Sequence, residues 1–261
     1  MNDTVLYSVA EGVATITLNR PQVLNALDAQ MIVQLRAACE RAEHDTAARA
    51  VVLRGAGQAF LAGGDVAFFR ANLPRMPALV REGGAELNHA ILALRRAPKP
   101  VLASVHGAVA GAGVSLTAAA DLAIAAEGTK FTVAYSRIGT SPDGGATHFL
   151  PRLVGARRAL ELMLLSDAFD AQTALKLGLV NWATGAEQLG AETEAIARRL
   201  ALGPTLAFGE IKRLVNESPD QALAAQLAAE IEAFARCAGT RDFTEGVTAF
   251  VEKRKPVFRG E

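Results

Sequence analysis

Cysteine is scarce in this sequence, neither sign of charge is in excess, and no apolar run is long. Two cysteines, Cys39 and Cys237, occur in 261 residues. Both fall in helix-like segments and read as reduced, buried core thiols, so no disulfide framework is expected. Lys plus Arg and Asp plus Glu each number 27, which leaves no net field to draw nucleic acid or anionic lipid. Apolar stretches are broken by Gly, Asp or His well short of the roughly 20 residues that span a bilayer, so no membrane partner is expected. No basic segment followed by an apolar run opens the chain, and the expected compartment is the cytoplasm. The four histidines show no metal-ligand spacing, which argues against a metal.

What is present is ordinary globular material: 51% hydrophobic and 21% charged residues, enough for a sizeable core. Val13 to Leu18 alternates in the manner of a half-buried strand, and Leu6 to Ala10 precedes it across Glu11-Gly12, which predicts a hairpin. Asp28 is placed to cap a helix whose apolar positions Ile32, Leu35 and Cys39 recur at helical spacing. Ala50 to Leu53, Val101 to Val105 and Leu122 to Ala126 read as short strands. His106 to Ala112 reads as a glycine-rich turn, and Gly113 to Ala119 as a small-residue helix. Beyond about residue 150 strand signals fade and helical patterns take over. The sequence predicts a mixed α/β front with helices packed behind it.

Two glycine loops stand out. Ala59-Phe60-Leu61-Ala62-Gly63-Gly64-Asp65 lets the backbone approach a ligand, with Asp65 positioned to cap the next helix. Gly107-Ala108-Val109-Ala110-Gly111-Ala112-Gly113 opens a helix, where free N–H groups favour an anion. Two such turns converging on one oxygen make an oxyanion hole. Tight turns and close helix packing explain the same glycines equally well. Other glycine motifs fail on detail. Gly111-Ala112-Gly113 is followed by Val114, Ser115 and Leu116, which is no dinucleotide fingerprint, and no Gly-Lys-Ser/Thr phosphate loop occurs. Ser115 sits in no nucleophile elbow and has no identifiable His/Asp pair.

Taken in order, a set of segments resembles the crotonase, or enoyl-CoA hydratase/isomerase, superfamily over nearly the full chain. They are Leu18-Asn19-Arg20-Pro21 with Asn25-Ala26-Leu27, then Phe60 to Asp65, His106-Gly107 through Gly113, and Ala120 to Ala125. Ile138-Gly139-Thr140-Ser141-Pro142-Asp143-Gly144-Gly145 and Leu150-Pro151-Arg152-Leu153-Val154-Gly155 complete the set. The resemblance implies an α/β spiral of ββα units over residues 1–200 and a C-terminal α-helical trimerisation region over 201–261. It implies oxyanion donors at the N–H groups of Gly64 and Ala112, where many relatives carry Gly in place of Ala112. It implies acyl-CoA contacts at Asn25, Ala26, Leu27, Ala62, Gly63, Gly64, Asp65 and Gly111. No resident cofactor is implied, since coenzyme A enters as part of the thioester. The tail resembles the family's in Phe250 and Lys253, which could reach the coenzyme A of a neighbour in a homotrimer or a dimer of trimers.

The resemblance also shows a departure. Hydratases of the family use two glutamates, and the matching positions here are Ser115 and Tyr135. Hydroxyls of ordinary pKa are poor proton carriers. One carboxylate remains nearby, Asp143, at the place where isomerases acting on dienoyl- and ring-epoxide-CoA carry a catalytic Asp. By itself Pro-Asp-Gly is a common turn or helix-cap setting. A buried setting would raise the Asp143 pKa towards a useful range. An isomerase needs one base and an oxyanion hole, so the expected activity is an enoyl-CoA isomerase with Asp143 as acid and base. A weak hydratase, an aryl-CoA dehalogenase with Asp143 as nucleophile, and a catalytically silent acyl-CoA-binding protein are the alternatives. The dehalogenases also need a histidine on the helix carrying His89, which otherwise reads as a surface residue. Tyr135 is expected to wall the acyl pocket or to hydrogen-bond Asp143. Phe68, Phe69 and Met76 are expected to line the same pocket.

Overall fold

A computed structural model describes residues 3–261. The predicted hairpin is formed by β1 (Val5–Ala10) and β2 (Val13–Leu18), paired antiparallel from Val5–Leu18 to Ala10–Val13. The alternation along β2 sends Ala14, Ile16 and Leu18 fully into the core. Burying a side chain such as Ile16 or Leu18 is worth about 1.5–3 kcal/mol. Helix α1 (Ala29–His44) follows, and Asp28 caps it by accepting from the Met31 N–H at 2.8 Å.

The next strands lie parallel to β2. β3 (Ala50–Gly55), β4 (Val101–Val105), β6 (Leu122–Ala126) and β9 (Trp182–Thr184) extend one six-stranded sheet in the order β1-β2-β3-β4-β6-β9. β4 is buried at every residue, the mark of a central parallel strand covered on both faces. One face packs on α1, α3 (Met76–Arg96) and α4 (Ala112–Ala119) in the main core. The other, through Val52, Leu102 and Ile124, packs on Leu189 and Ala197 of α8 (Leu189–Ala201). A second, three-stranded sheet is made by β5 (Ala108–Ala110), β7 (Lys130–Thr132) and β8 (Phe169–Asp170). The chain therefore lays a strand in the first sheet, a shorter one in the second, and returns through a helix. β4-β5-α4 and β6-β7-α5 (Ala146–Val154) repeat this step, so the turns stack into a spiral. Two short helices, α2 (Val66–Ala71) and α7 (Ala171–Lys176), and α6 (Ala156–Leu165) fill the remaining connections.

Four sequence expectations need correction. The segment from His106 is not all turn: β5 lies inside it, because Ala108 to Ala110 pairs with β7. The helix after it begins at Ala112 rather than Gly113. Strands also persist beyond residue 150 as β8 and β9, each too short to carry a readable alternation. Cys39 is buried as expected, but Cys237 is only half-buried. No helix among the described residues is long and apolar enough to cross a membrane.

Behind the spiral stand α9 (Thr205–Glu217), α10 (Leu223–Ala238) and α11 (Arg241–Val251). α9 is pinned to the core by Lys212, whose ammonium is buried against Asp121 at 2.8 Å and the Leu94 carbonyl at 2.6 Å. α10 is tied to α9 by Arg236 and Glu210 at 2.8 Å. Hydrogen bonds from Arg236 and Arg213 hold the Glu210 carboxyl down to about 2 from an ordinary 4.5. Arg254 and the Val257 N–H hold Glu245 of α11 equally low, at about 2. Because both values are depressed by folding, their stabilisation is complete above about pH 4.5 and is lost as pH falls towards 2. The protection of amides in α10 and α11, measured relative to intrinsic exchange at each pH, is therefore expected to fall over that window before that of β3 and β4 does. Glu210→Gln should blunt the acid response of α10. Equal protection of α10 at pH 6 and pH 3 would show that these pairs contribute nothing.

Candidate active site

The two glycine loops meet through backbone pairing. Leu61 forms an isolated parallel bridge with Val109, its N–H donating to the Ala108 carbonyl at 3.2 Å and its carbonyl accepting from Ala110 at 2.9 Å. Continued in the same register, this pairing sets Gly63 opposite Gly111 and Gly64 opposite Ala112. The first juxtaposition is tight: a Cβ on Gly111 would lie 3.6 Å from the Gly63 Cα. Gly63 and Gly111 have φ of 92° and 50°, in the region that glycine alone enters freely. The turn geometry is thus carried by these two glycines, and Ala112 takes an ordinary helical φ as the first residue of α4. An alanine costs nothing there.

Among the described residues, neither the Gly64 nor the Ala112 N–H has a hydrogen-bond acceptor. For Ala112 this follows from its place in the first turn of a helix, whose N–H groups have no partner within the helix and whose dipole favours negative charge. For Gly64 it follows from its neighbours. Leu27 donates to the Gly63 carbonyl at 2.8 Å and accepts from Asp65 at 2.9 Å, so the bonds straddle Gly64. Two free donors on adjacent segments can stabilise one developing oxyanion.

The stretch expected to touch substrate, Asn25-Ala26-Leu27, is buried and turned inward. The Asn25 amide donates to the carbonyls of Ala56, Ala59 and Phe60, and its oxygen accepts from the Arg20 N–H. Leu24 and Asn25 both have positive φ, 53° and 60°, which costs about 1–2 kcal/mol per non-glycine residue. The side-chain bonds of Asn25 hold that strained turn closed. The side chain ties this turn to residues 56–60, just ahead of the Gly63-Gly64 loop, a link the sequence alone does not show because the three acceptors are 31 to 35 residues away. Asp65 caps α2 as expected, accepting from Phe68 at 3.1 Å. Ala62 is half-buried beside it. The ring of Phe69 packs on Gly64 so closely that a Cβ there would meet Cζ at 2.4 Å, while Phe68 and Met76 are each half-buried.

Beside the first turn of α4 lies a trio of side chains. Ser115 is one turn from Ala112 and fully buried. Its hydroxyl is 3.0 Å from that of Tyr135 and donates to the Asp143 carbonyl at 3.0 Å or to Tyr135. The Tyr135 hydroxyl donates to Asp143 Oδ1 at 2.7 Å. Burial, and then the Asp143 charge, push the Tyr135 pKa well up, so it stays a neutral donor. Asp143 does not cap α5: the cap position is Gly145, without a side-chain bond, and the carboxylate turns instead to Tyr135. Asp143 is exposed in the single chain. His89 is exposed on α3. Phe250 and Lys253 lie exposed at the end of α11, and the single chain does not bring them to this site. Two clefts, of about 630 and 440 Å³, lie elsewhere, the first between the end of α3, α9 and α10 and the second between α9 and α11, and neither includes Gly64, Ala112 or Asp143. Among the described residues no group of three or more His, Cys, Asp or Glu is arranged to hold a metal.

Residues 8–261 match the family model described as enoyl-CoA hydratase/isomerase. The chain is 41% identical over 257 residues to a Rhodobacter capsulatus protein named "Probable enoyl-CoA hydratase", covering 98% of each. It is 38% identical to the 1,2-epoxyphenylacetyl-CoA isomerase of Escherichia coli over the whole of both chains. Among solved structures, an enoyl-CoA hydratase from Polaromonas sp. JS666 superposes with a TM-score of 0.93 at 34% identity, over 98% of this chain and 99% of that one.

The Ala112 donor can be deleted without breaking α4. Proline is tolerated at the first helical position, and Gly111, at φ 50° and ψ −117°, lies outside the α region that proline disfavours before it and has no Cβ to meet the ring. Ala112→Pro is expected to keep the unfolding midpoint within a few degrees while lowering thioester turnover roughly 10²- to 10³-fold. Turnover at the wild-type rate would remove Ala112 from the site.

Proposed function

Because the chain belongs to the enoyl-CoA hydratase/isomerase family, we propose that it is an enoyl-CoA isomerase in which Asp143 moves the proton. The observation that carries this reading is the Tyr135–Asp143 hydrogen bond of 2.7 Å. It turns the one carboxylate of the segment away from a capping role and occupies one oxygen, leaving Oδ2 to act as base. The thioester oxygen sits between the Gly64 and Ala112 N–H groups, which stabilise the enolate as the α-carbon loses its proton to Asp143. The electron pair moves into the conjugated system, and the same proton returns at the γ-carbon, shifting the double bond with no net gain or loss of atoms. Bound substrate covers the carboxylate that the single chain leaves exposed. Coenzyme A takes part only as the thioester half of the substrate, held along 62–65 and Gly111, with Tyr135 walling the acyl side.

The relative named a hydratase argues for water addition, but that reaction needs a group to activate water. Ser115 and Tyr135 offer hydroxyls already engaged with each other and with Asp143. Asp143→Asn is isosteric and unable to accept the proton, so it should abolish isomerisation of a 3-enoyl-CoA and leave thioester affinity within about threefold. Mass spectrometry of a panel of acyl-CoAs would check this, scoring hydration, isomerisation and halide loss together. Wild-type turnover by the variant, or hydration of crotonyl-CoA with ordinary enzymatic efficiency, would overturn the assignment. A covalent aryl ester trapped on Asp143 would replace it with the dehalogenase reaction. The absence of any α-proton exchange in deuterated water would leave a binding protein.

The same proposal extends to assembly as a trimer or a pair of trimers. Leu223, Leu227, Ile231 and Phe234 form one stripe on α10, and each is at least half exposed in the single chain. A stripe of that size is costly in water and is removed by contact between copies. Phe250, 85% exposed, and Lys253 are then carried to the coenzyme A of a neighbour. Light scattering on the full chain is expected to give a mass three or six times that of the chain. Ile231→Glu with Phe234→Glu should reduce it to one. A native monomer that turns over substrate would refute the assembly.

A further inference from the structure

The turn at Leu24 and Asn25 brings Leu27 alongside the Gly63-Gly64 loop. Ala62 donates to the Leu24 carbonyl at 3.0 Å, Leu27 to Gly63 at 2.8 Å, and Asp65 to Leu27 at 2.9 Å. These three bonds aim the Gly64 N–H by fixing the residues on both sides of it. One side chain reaches every part of the arrangement. The Arg20 guanidinium donates to the Ala26 carbonyl and pairs with Asp28 at 3.1 Å and Asp65 at 3.2 Å. Its backbone N–H is held by the Asn25 oxygen at 2.8 Å. Asp28 and Asp65 are the caps of α1 and α2, so Arg20 joins a helix of the main core to a helix with no buried residue of its own. That second helix carries Phe69, whose ring lies on Gly64.

We infer that Arg20 is a positioning residue for the oxyanion donor at Gly64, acting through Asp65 and the Ala26 carbonyl. The inference rests on the enolate chemistry proposed above. A direct role in reading the phosphates of coenzyme A is disfavoured by the surroundings. The Arg20 side chain is only 14% exposed, and its single positive charge lies between two carboxylates, which leaves the cluster net negative. A planar fork spreads its donors over several nitrogens and so spans a carbonyl and two carboxylates in fixed geometry, whereas an ammonium concentrates its three on one atom.

The test compares Arg20→Gln, Arg20→Lys and Asp65→Asn in the full chain. Asn keeps the helix cap of α2 while removing the charge, which separates the ion pair from capping. Turnover is read as exchange of the α-protons of butyryl-CoA, and of S-butyryl-pantetheine, into deuterated water. Arg20→Gln is expected to lower kcat roughly 10- to 100-fold on both thioesters, with KM within about threefold. Arg20→Lys and Asp65→Asn should fall between Arg20→Gln and the native protein. Amide exchange over residues 60–66 should rise in Arg20→Gln, with α9 and α10 unchanged. Unaltered exchange over 60–66 would overturn the inference. So would a loss confined to KM for the coenzyme A thioester and absent with pantetheine, since Arg20 would then be reading the nucleotide. Faster exchange throughout the chain would also overturn it, by making Arg20 a general stabiliser. If the native protein exchanges no α-protons, the enolate reading falls, and the amide exchange of 60–66 still decides whether Arg20 sets the loop.

Discussion

The parallel pairing of Leu61 with Val109 is the contact on which the rest of the site depends. It comes from two segments that each follow a strand of the main sheet, and it carries their glycine turns into one register. Gly63 and Gly111 absorb the positive φ values, which leaves Gly64 and Ala112 with ordinary backbone and free N–H groups. Backbone donors held this way need no reorganisation when charge develops, which is where such sites gain their advantage over water. The strained turn at Leu24–Asn25 is the counterpart of that rigidity. Its unfavourable conformation persists because Asn25 and Arg20 supply more bonds than the strain costs.

The second feature is what stands in place of two acids. Ser115 and Tyr135 are short of proton-transfer capacity, yet they are not idle filler. Buried together beside Asp143, they form a hydroxyl pair that orients one carboxylate. Burial makes the bond between Tyr135 and Asp143 stronger than it would be in water and keeps the phenol protonated. A site with two carboxylates is thereby reduced to one whose position is specified by neutral groups. Membership of the family leaves both hydration and isomerisation open, and the proposed proton shuttle rests on this single oriented carboxylate.

The C-terminal helices obey a different economy. α9 is anchored by a buried lysine and α10 by an ion pair at its surface, while their large apolar side chains remain outside. The close approach of Gly209 to Pro98 adds to that hold, while the apolar stripe of α10 stays uncovered in the single chain. The proposed assembly rests on that division.

Much was legible in the sequence because its causes are local. The alternation of Val13 to Leu18, the caps Asp28 and Asp65, and the ordered motifs from Leu18 to Gly155 each act over a few residues. They sufficed for the hairpin, the helix starts, the family and the loops that meet. Short strands such as β5 and β9 escaped, since three residues have no period to read. The inward turn of Asn25, the joining of Asp28 to Asp65 by Arg20, and the exposure of Asp143 were decided only in three dimensions. So was the aim of the Asp143 carboxylate, because a Pro-Asp-Gly segment is equally content as a turn, a cap or a base. Residue type sets which bonds a side chain can make, and the partners it meets across the fold determine which of them it does make.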